Sequence, residues 1–198
     1  MAEQICNLCK EEKALIKKSH IMSEFLHKDM YDEKHKLRAF AVSELLEKNP
    51  RISRPSTGSY EGKLLCADCD NGIIGGYESY ASKLYKNTLT GDSKPICRYS
   101  KALDGVKVLE LSNLNYSSFK LFLLSLLWRA HISSRAEYSD VDLGPYAEKI
   151  RNQLLNRDSS TDDDIIISIT KLDPRANFSS FIGQPRRHKV SGSTTYSI

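Results

Sequence analysis

The chain has 198 residues, 40% of them apolar and 27% charged, which is the balance of a globular protein with a core to bury. Its 29 basic and 25 acidic residues leave a formal charge of +4, which admits an anionic partner without requiring one. The first 15 residues are too polar for a secretory signal. The most apolar run, 119–132 (FKLFLLSLLWRAHI), is shorter than the roughly 20 residues of a membrane span and carries Lys120 and Arg129, so the expected location is the cytoplasm.

In chain order, Cys6 to Cys9 predicts a knuckle-like turn and 14–21 (ALIKKSHI) a short strand. The segment 23–32 (SEFLHKDMYD) reads as a helix with Ser23 at its N-cap. Residues 49–63 are rich in Pro, Ser and Gly and read as a loop that returns the chain to a strand-like run, 63–66 (KLLC). Tyr77, Tyr80, Ala81, Leu84 and Tyr85 recur at helical spacing and predict a helix over 73–86. Gly75 and Gly76 weaken its first turn by up to about 1 kcal/mol each.

After a link at 87–95, 106–111 (VKVLEL) reads as a strand and 119–134 as the strongest helix, buried as a core element. A further helix is expected over 144–156, with Pro145 tolerated in its first turn. A polar turn at 158–164 leads to an apolar strand at 164–172. The tail from 184 has little to bury and is expected to fray. The fold class implied is α+β, with a first domain over 1–90 and a mixed α/β support or recognition domain over 91–198.

Four of the five cysteines stand in two CxxC pairs, Cys6/Cys9 and Cys66/Cys69. Structural zinc takes four tetrahedral N or S ligands, and a two-residue gap lets both sulfurs of a pair reach one ion about 2.3 Å away. Residues 10–65 separate the pairs, far more than in a simple zinc ribbon, but an inserted segment can fold on its own without disturbing the shell. A redox CxxC stands alone near a βαβ pattern, which is missing here. Zn²⁺ held by Cys6, Cys9, Cys66 and Cys69 is therefore the expected metal centre. Cys97 reads as a buried apolar residue, His27 and His35 as solvent-facing, and His131 as a hydrogen-bonded core residue.

A CxxC pair, a strand ending in His20-Ile21, and a return run "LLCADC" leading into a helix resemble the zinc-containing HNH (His-Me finger) nucleases over roughly residues 5–85. The resemblance implies a ββα unit in which His20 acts as general base on a water that attacks the scissile phosphate. It also implies one divalent ion, Mg²⁺ or Mn²⁺, near an acidic ligand. Asp70 follows the second CxxC and is the oxygen donor that such an ion would take. Ser19 stands where the family carries Asp, and Tyr60, Glu61 and Gly62 occupy the neighbourhood of its middle Asn. Glu61 and Glu78 are further carboxylates near the motif.

Two functions follow from these residues. One is a metal-dependent nuclease acting on nucleic acid, DNA in preference to RNA. The other is a non-catalytic zinc module that binds nucleic acid or a protein; within it, a redox or metal-sensing role is the minor variant. The basic clusters Lys17-Lys18 and Arg186-Arg187-His188-Lys189 read as solvated faces, and Trp128 and Arg129 as core or partner-contact residues. The sequence carries no sign of oligomeric state.

Overall fold

A computed structural model describes residues 3–40, 49, 51–101, 107–159, 165, 182–190 and 193–197. Apart from Ile165, the strand expected over 164–172 lies outside the described residues. Those residues form four α-helices and four two-stranded antiparallel ladders, an α+β composition. Among them no helix is long and apolar enough to cross a membrane.

The first ladder, β1 (Gln4–Ile5) with β2 (Glu12–Lys13), closes the cysteine knuckle. Within it, the Cys6 amide donates to Glu11 O and the Lys10 amide to Cys6 O, each at 2.9 Å. Lys10 takes a left-handed φ of 63° to complete the turn. The second ladder pairs β3 (Ser19–His20) with β4 (Tyr60–Glu61), placing His20 opposite Tyr60 and Ser19 opposite Glu61. Leu15 bridges to Cys66 beside it. The run 63–66 meets the strand expected over 14–21 through the Lys63 amide to Ile16 O at 2.9 Å and the Ile16 amide to Leu65 O at 3.0 Å, while the β3–β4 ladder forms earlier, inside the segment expected to be loop.

Between β3 and β4, α1 (Glu24–His27) continues into a 3₁₀ turn, Lys28–Met30. Ser23 precedes it but does not cap it; its hydroxyl is used elsewhere. The helix after the second CxxC starts earlier than 73. A wide π-turn over Asp68–Ile74 runs straight into α2 (Gly75–Tyr85), with the Gly75 amide donating to Asp70 O five residues back. The wide turn lets Cys69 and Ile74 both face inward, so the two glycines sit inside a continuous helix rather than at a broken start.

A third ladder, β5 (Ile96–Lys101) with β6 (Lys107–Ser112), confirms the strand near 106–111 and adds a partner that sequence reading missed. Every residue of β5 is exposed, so no apolar alternation announces it. Cys97 lies there, exposed, and the expectation of a buried thiol is corrected.

α3 (Tyr116–Ile132) is capped by Asn115, whose side-chain oxygen accepts from the Ser118 amide at 3.0 Å. It is buried almost all round, through Leu121, Phe122, Leu124, Leu126 and Trp128, each such side chain contributing about 1.5–3 kcal/mol. α2 and α4 (Tyr146–Asn156) both pack against it. The Tyr77 hydroxyl on α2 donates to Leu154 O on α4 at 2.7 Å. One cluster of buried side chains runs from Cys6 and Leu8 through Leu65, Ile74 and α3 to Leu154, crossing the expected boundary near residue 90. The tail forms a hairpin of β7 (Arg186–Val190) and β8 (Ser193–Ser197) instead of fraying.

Candidate metal centre and the His20 pocket

The two CxxC turns, one from the knuckle and one from the start of the π-turn, meet through the Leu15–Cys66 bridge and a pair of hydrogen bonds from Asn7 to Leu64 O, both at 3.0 Å. The four sulfurs of Cys6, Cys9, Cys66 and Cys69 all lie within 4.8 Å of one another. A tetrahedral shell with 2.3 Å bonds needs sulfurs about 3.8 Å apart, so a small contraction completes it. The Cys66 amide donates to Cys6 Sγ at 3.3 Å, an interaction that favours a thiolate. Burial opposes ionisation of Cys6, but backbone amides of Cys66, Cys9 and Leu8 hold its thiol below the usual range. Burial pushes the Cys66 and Cys69 thiols up. Four buried or half-buried thiols crowded together without disulfides suit a divalent, thiophilic ion such as Zn²⁺. Arg151 of α4 reaches Leu8 O in the knuckle at 2.5 Å, tying the last helix to the cysteine turn.

His20 sits at the end of β3 with its side chain 32% exposed. Its Nε2 is 3.3 Å from Glu24 Oε2 and 3.1 Å from Thr57 Oγ1. Glu24 in turn accepts from Thr57 Oγ1 at 3.1 Å, from the Gly58 amide at 3.3 Å, and from the Tyr31 hydroxyl. Although burial raises it, these donors hold the Glu24 carboxyl below its ordinary value, so it stands ionised beside the imidazole. Gly58 is required by close approach: a Cβ there would lie 2.5 Å from Cε1 of His27. His27 is thus buried under this loop, not solvent-facing, and its Nδ1 has no hydrogen-bond partner among the described residues. Burial lowers its pKa.

Asp70 joins this region through Ser19, whose hydroxyl donates to Asp70 Oδ1 at 2.5 Å. Burial raises the Asp70 pKa against the opposing effects of Ser19 and Arg129. Behind His20, Arg129 of α3 is 1% exposed, with its guanidinium divided among several acceptors. It donates to His20 O at 2.6 Å, to Ser125 O at 3.2 Å and to Ser23 Oγ at 3.2 Å, and pairs with Glu78 Oε1 at 2.8 Å. Ser23 donates to the same Glu78 oxygen at 2.6 Å, which is where its capping hydroxyl went. A guanidinium fork meets such a divided set of acceptors better than a lysine would.

Of the six residues singled out from sequence, Cys6, Cys9, Cys66 and Cys69 converge, whereas Asp70 bonds to Ser19, the chain neighbour of His20, and the His20 ring contacts Glu24 and Thr57 instead. Among the described residues the cysteines are the sole group of three or more potential ligand side chains close enough to share an ion. Glu61 is engaged by the hydroxyls of Ser133 and Ser134, each at 2.6 Å, and Glu78 by Arg129, so neither carboxylate reaches His20 Nε2. Glu24 and Thr57 escaped sequence reading, which took Arg129 as a core or partner-contact residue without its link to His20. For Arg129 a signal existed: a charged residue deep in an apolar helix needs a buried partner. His35 stacks on Tyr31 at the surface, with centroids 4.0 Å apart, and His131 Nδ1 lies 3.3 Å from Val141 O, both close to expectation. No family model matches the chain, and neither a curated protein nor a solved structure matches it, so what can be said of its chemistry rests on these side chains.

Proposed function

We propose that the chain is a nuclease of the HNH (His-Me finger) type, its zinc-held N-terminal unit carrying a ββα motif, which hydrolyses phosphodiester bonds of nucleic acid, DNA in preference to RNA. The observation that carries the reading is the His20–Glu24 pair: a half-exposed imidazole at a strand end, with an ionised carboxylate and a hydroxyl on one ring nitrogen. In this scheme His20 removes a proton from the attacking water, and Glu24 steadies the imidazolium that results. Arg129 holds the His20 backbone through its carbonyl, and the contacts of Nε2 with Glu24 and Thr57 hold the ring. Mg²⁺ takes one or two carboxylates and completes its shell with water and substrate phosphate, and Asp70, which already accepts from Ser19, is the one carboxylate this reading would offer it. When bound there, Mg²⁺ or Mn²⁺ would neutralise charge developing on the phosphate. Zinc has the structural role only.

A non-catalytic zinc module that binds nucleic acid or a protein is the second reading. It is favoured by Ser19 in place of a carboxylate and by the commitment of Glu61 and Glu78 to internal partners. A cleavage assay with Mg²⁺ or Mn²⁺ separates the two. The nuclease reading expects His20→Ala to keep zinc and fold while losing about 10²–10⁴ in rate, the usual share of a positioned acid–base group. No cutting by the wild type with any divalent ion selects the module; equal cutting by His20→Ala removes the mechanism.

A further inference from the structure

The C-terminal hairpin has a composition that the zinc centre and the His20 pocket leave unused. β7 carries Arg186, Arg187, His188 and Lys189 in succession, all exposed, and residues 186–197 contain no acid. Its partner strand is hydroxyl-rich, with Thr194, Thr195 and Tyr196 among its residues. The register sets Arg187 opposite Tyr196 and Lys189 opposite Thr194; Tyr196 turns onto the core at the base of the ribbon, while Arg187, Lys189 and Thr194 stay exposed. Arg186 is spent on Asp140 at 3.3 Å, and His188 on Ser197 Oγ at 2.8 Å. Arg187 and Lys189 have no ion-pair partner among the described residues.

The ribbon is also anchored. Pro185 at its base is buried, Tyr196 packs on the core and donates to Asp142 O, and Asp140 holds Arg186. Asp140 and Asp142 belong to the loop after α3, whose earlier residues clamp the His20 ladder. There, Arg135 donates to Tyr60 O at 3.1 Å, Ser59 to Glu137 at 3.3 Å, and Ser133 to Glu61 at 2.6 Å. One loop therefore fastens the basic ribbon and the strand opposite His20.

We infer that β7–β8 is a docking surface for the phosphate backbone of duplex DNA, with Arg187 and Lys189 as its phosphate ligands and Thr194 beside them. Guanidinium, ammonium and hydroxyl donors on a two-stranded ribbon match backbone phosphates, and a ribbon fits the major groove. Single strands are held chiefly by stacking platforms, and the one aromatic here, Tyr196, is already packed and hydrogen-bonded. The inference rests on the nucleic-acid reading above for the identity of the polyanion, but not on cleavage.

The test is fluorescence anisotropy of the full zinc-loaded chain with a labelled duplex oligonucleotide across a salt series, without Mg²⁺ or Mn²⁺. Arg187→Ala/Lys189→Ala should weaken binding and lower the slope of log K against log salt by about 2, because each of the two cations neutralises one phosphate. Thr194→Glu, which sets a carboxylate opposite Lys189, should weaken binding without removing either cation, and it decides the matter if the double variant misfolds. An unchanged affinity and slope in these variants, tighter binding of a single strand of equal length, or no duplex binding by the wild type overturns the inference. A wild type that binds through the ribbon yet never cuts defeats the nuclease reading alone. One that cuts while the ribbon variants bind normally defeats only the ribbon.

Discussion

The cysteine knuckle and the Arg129 lattice are both polar sets inside one apolar cluster, and they are built on opposite principles. The knuckle is assembled from two short local turns, each with two residues between its cysteines, and its four sulfurs, all within 4.8 Å of one another, could hold an ion that would balance them as thiolates. The lattice needs no ion, because a guanidinium, a carboxylate and two carbonyls satisfy one another, but its members come from β3, α2 and α3, as many as 109 residues apart in sequence. A metal centre concentrates its free energy in four bonds, whereas the lattice distributes it over hydrogen bonds that exist only once three elements have packed.

The sharpest way to break the comparison is to remove the ion. Cys66→Ser or a strong chelator should release zinc. Since structural zinc contributes an apparent 10–16 kcal/mol or so in small zinc-finger peptides, the knuckle should lose its fold. Because Arg151 grips Leu8 O and Tyr77 grips Leu154 O, α4 and α2 should loosen with it, and circular dichroism should fall in one step. A two-step loss, with α3 and α4 surviving, would instead give residues 91–198 a stability of their own. Folded protein that contains no zinc by elemental analysis would remove the metal centre altogether.

The lattice offers a smaller effect of a different kind. Arg129→Ala should cost about 3 kcal/mol in denaturant unfolding, the lower end for breaking a buried pair, since Glu78 keeps 27% of its side chain in solvent. Adding Glu78→Gln should recover part of that loss by removing the stranded charge, and zinc content should not change. A double variant no better than the single one would mean that Arg129 acts by packing alone.

The smallest effect concerns pH. His27 is buried neutral with its pKa lowered from 6.5, so the folded state releases a proton that the unfolded chain holds. Its contribution to stability is complete above pH 6.5 and declines as pH falls below that value toward the folded pKa. Glu24, facing it, opposes the shift and stays ionised until pH drops below 4.5, while His20 reinforces it. His27→Phe should therefore flatten the unfolding midpoint between pH 6.5 and 4.5. An unchanged slope would assign the acid sensitivity to another group.

Much of the N-terminal layout was legible because its determinants are local. The cysteine spacing singled out the four sulfurs that converge, and the run of Leu and Phe in 119–132 announced a buried helix. The strand β5 was illegible because all six of its residues face solvent and only pairing with β6 makes them a strand. The early helix start was hidden because Asp68–Ile74 winds as a π-turn, which no period of about 3.6 residues reveals. His27 read as a surface residue because its burial is made by Gly58, far along the chain.

By itself, the sequence determined which side chains can hold a metal, which helix forms the centre of the core, and that His20 ends a strand, since spacing and periodicity act within a few residues. Tertiary structure alone decided that Glu24 and Thr57 share His20 Nε2, that Ser23 serves Glu78 instead of its own helix, and that Arg129 supports His20 from α3. A hydrogen bond has a fixed reach of about 3 Å and no preference for sequence distance, so such partners are chosen only when the folded chain brings their atoms within that reach.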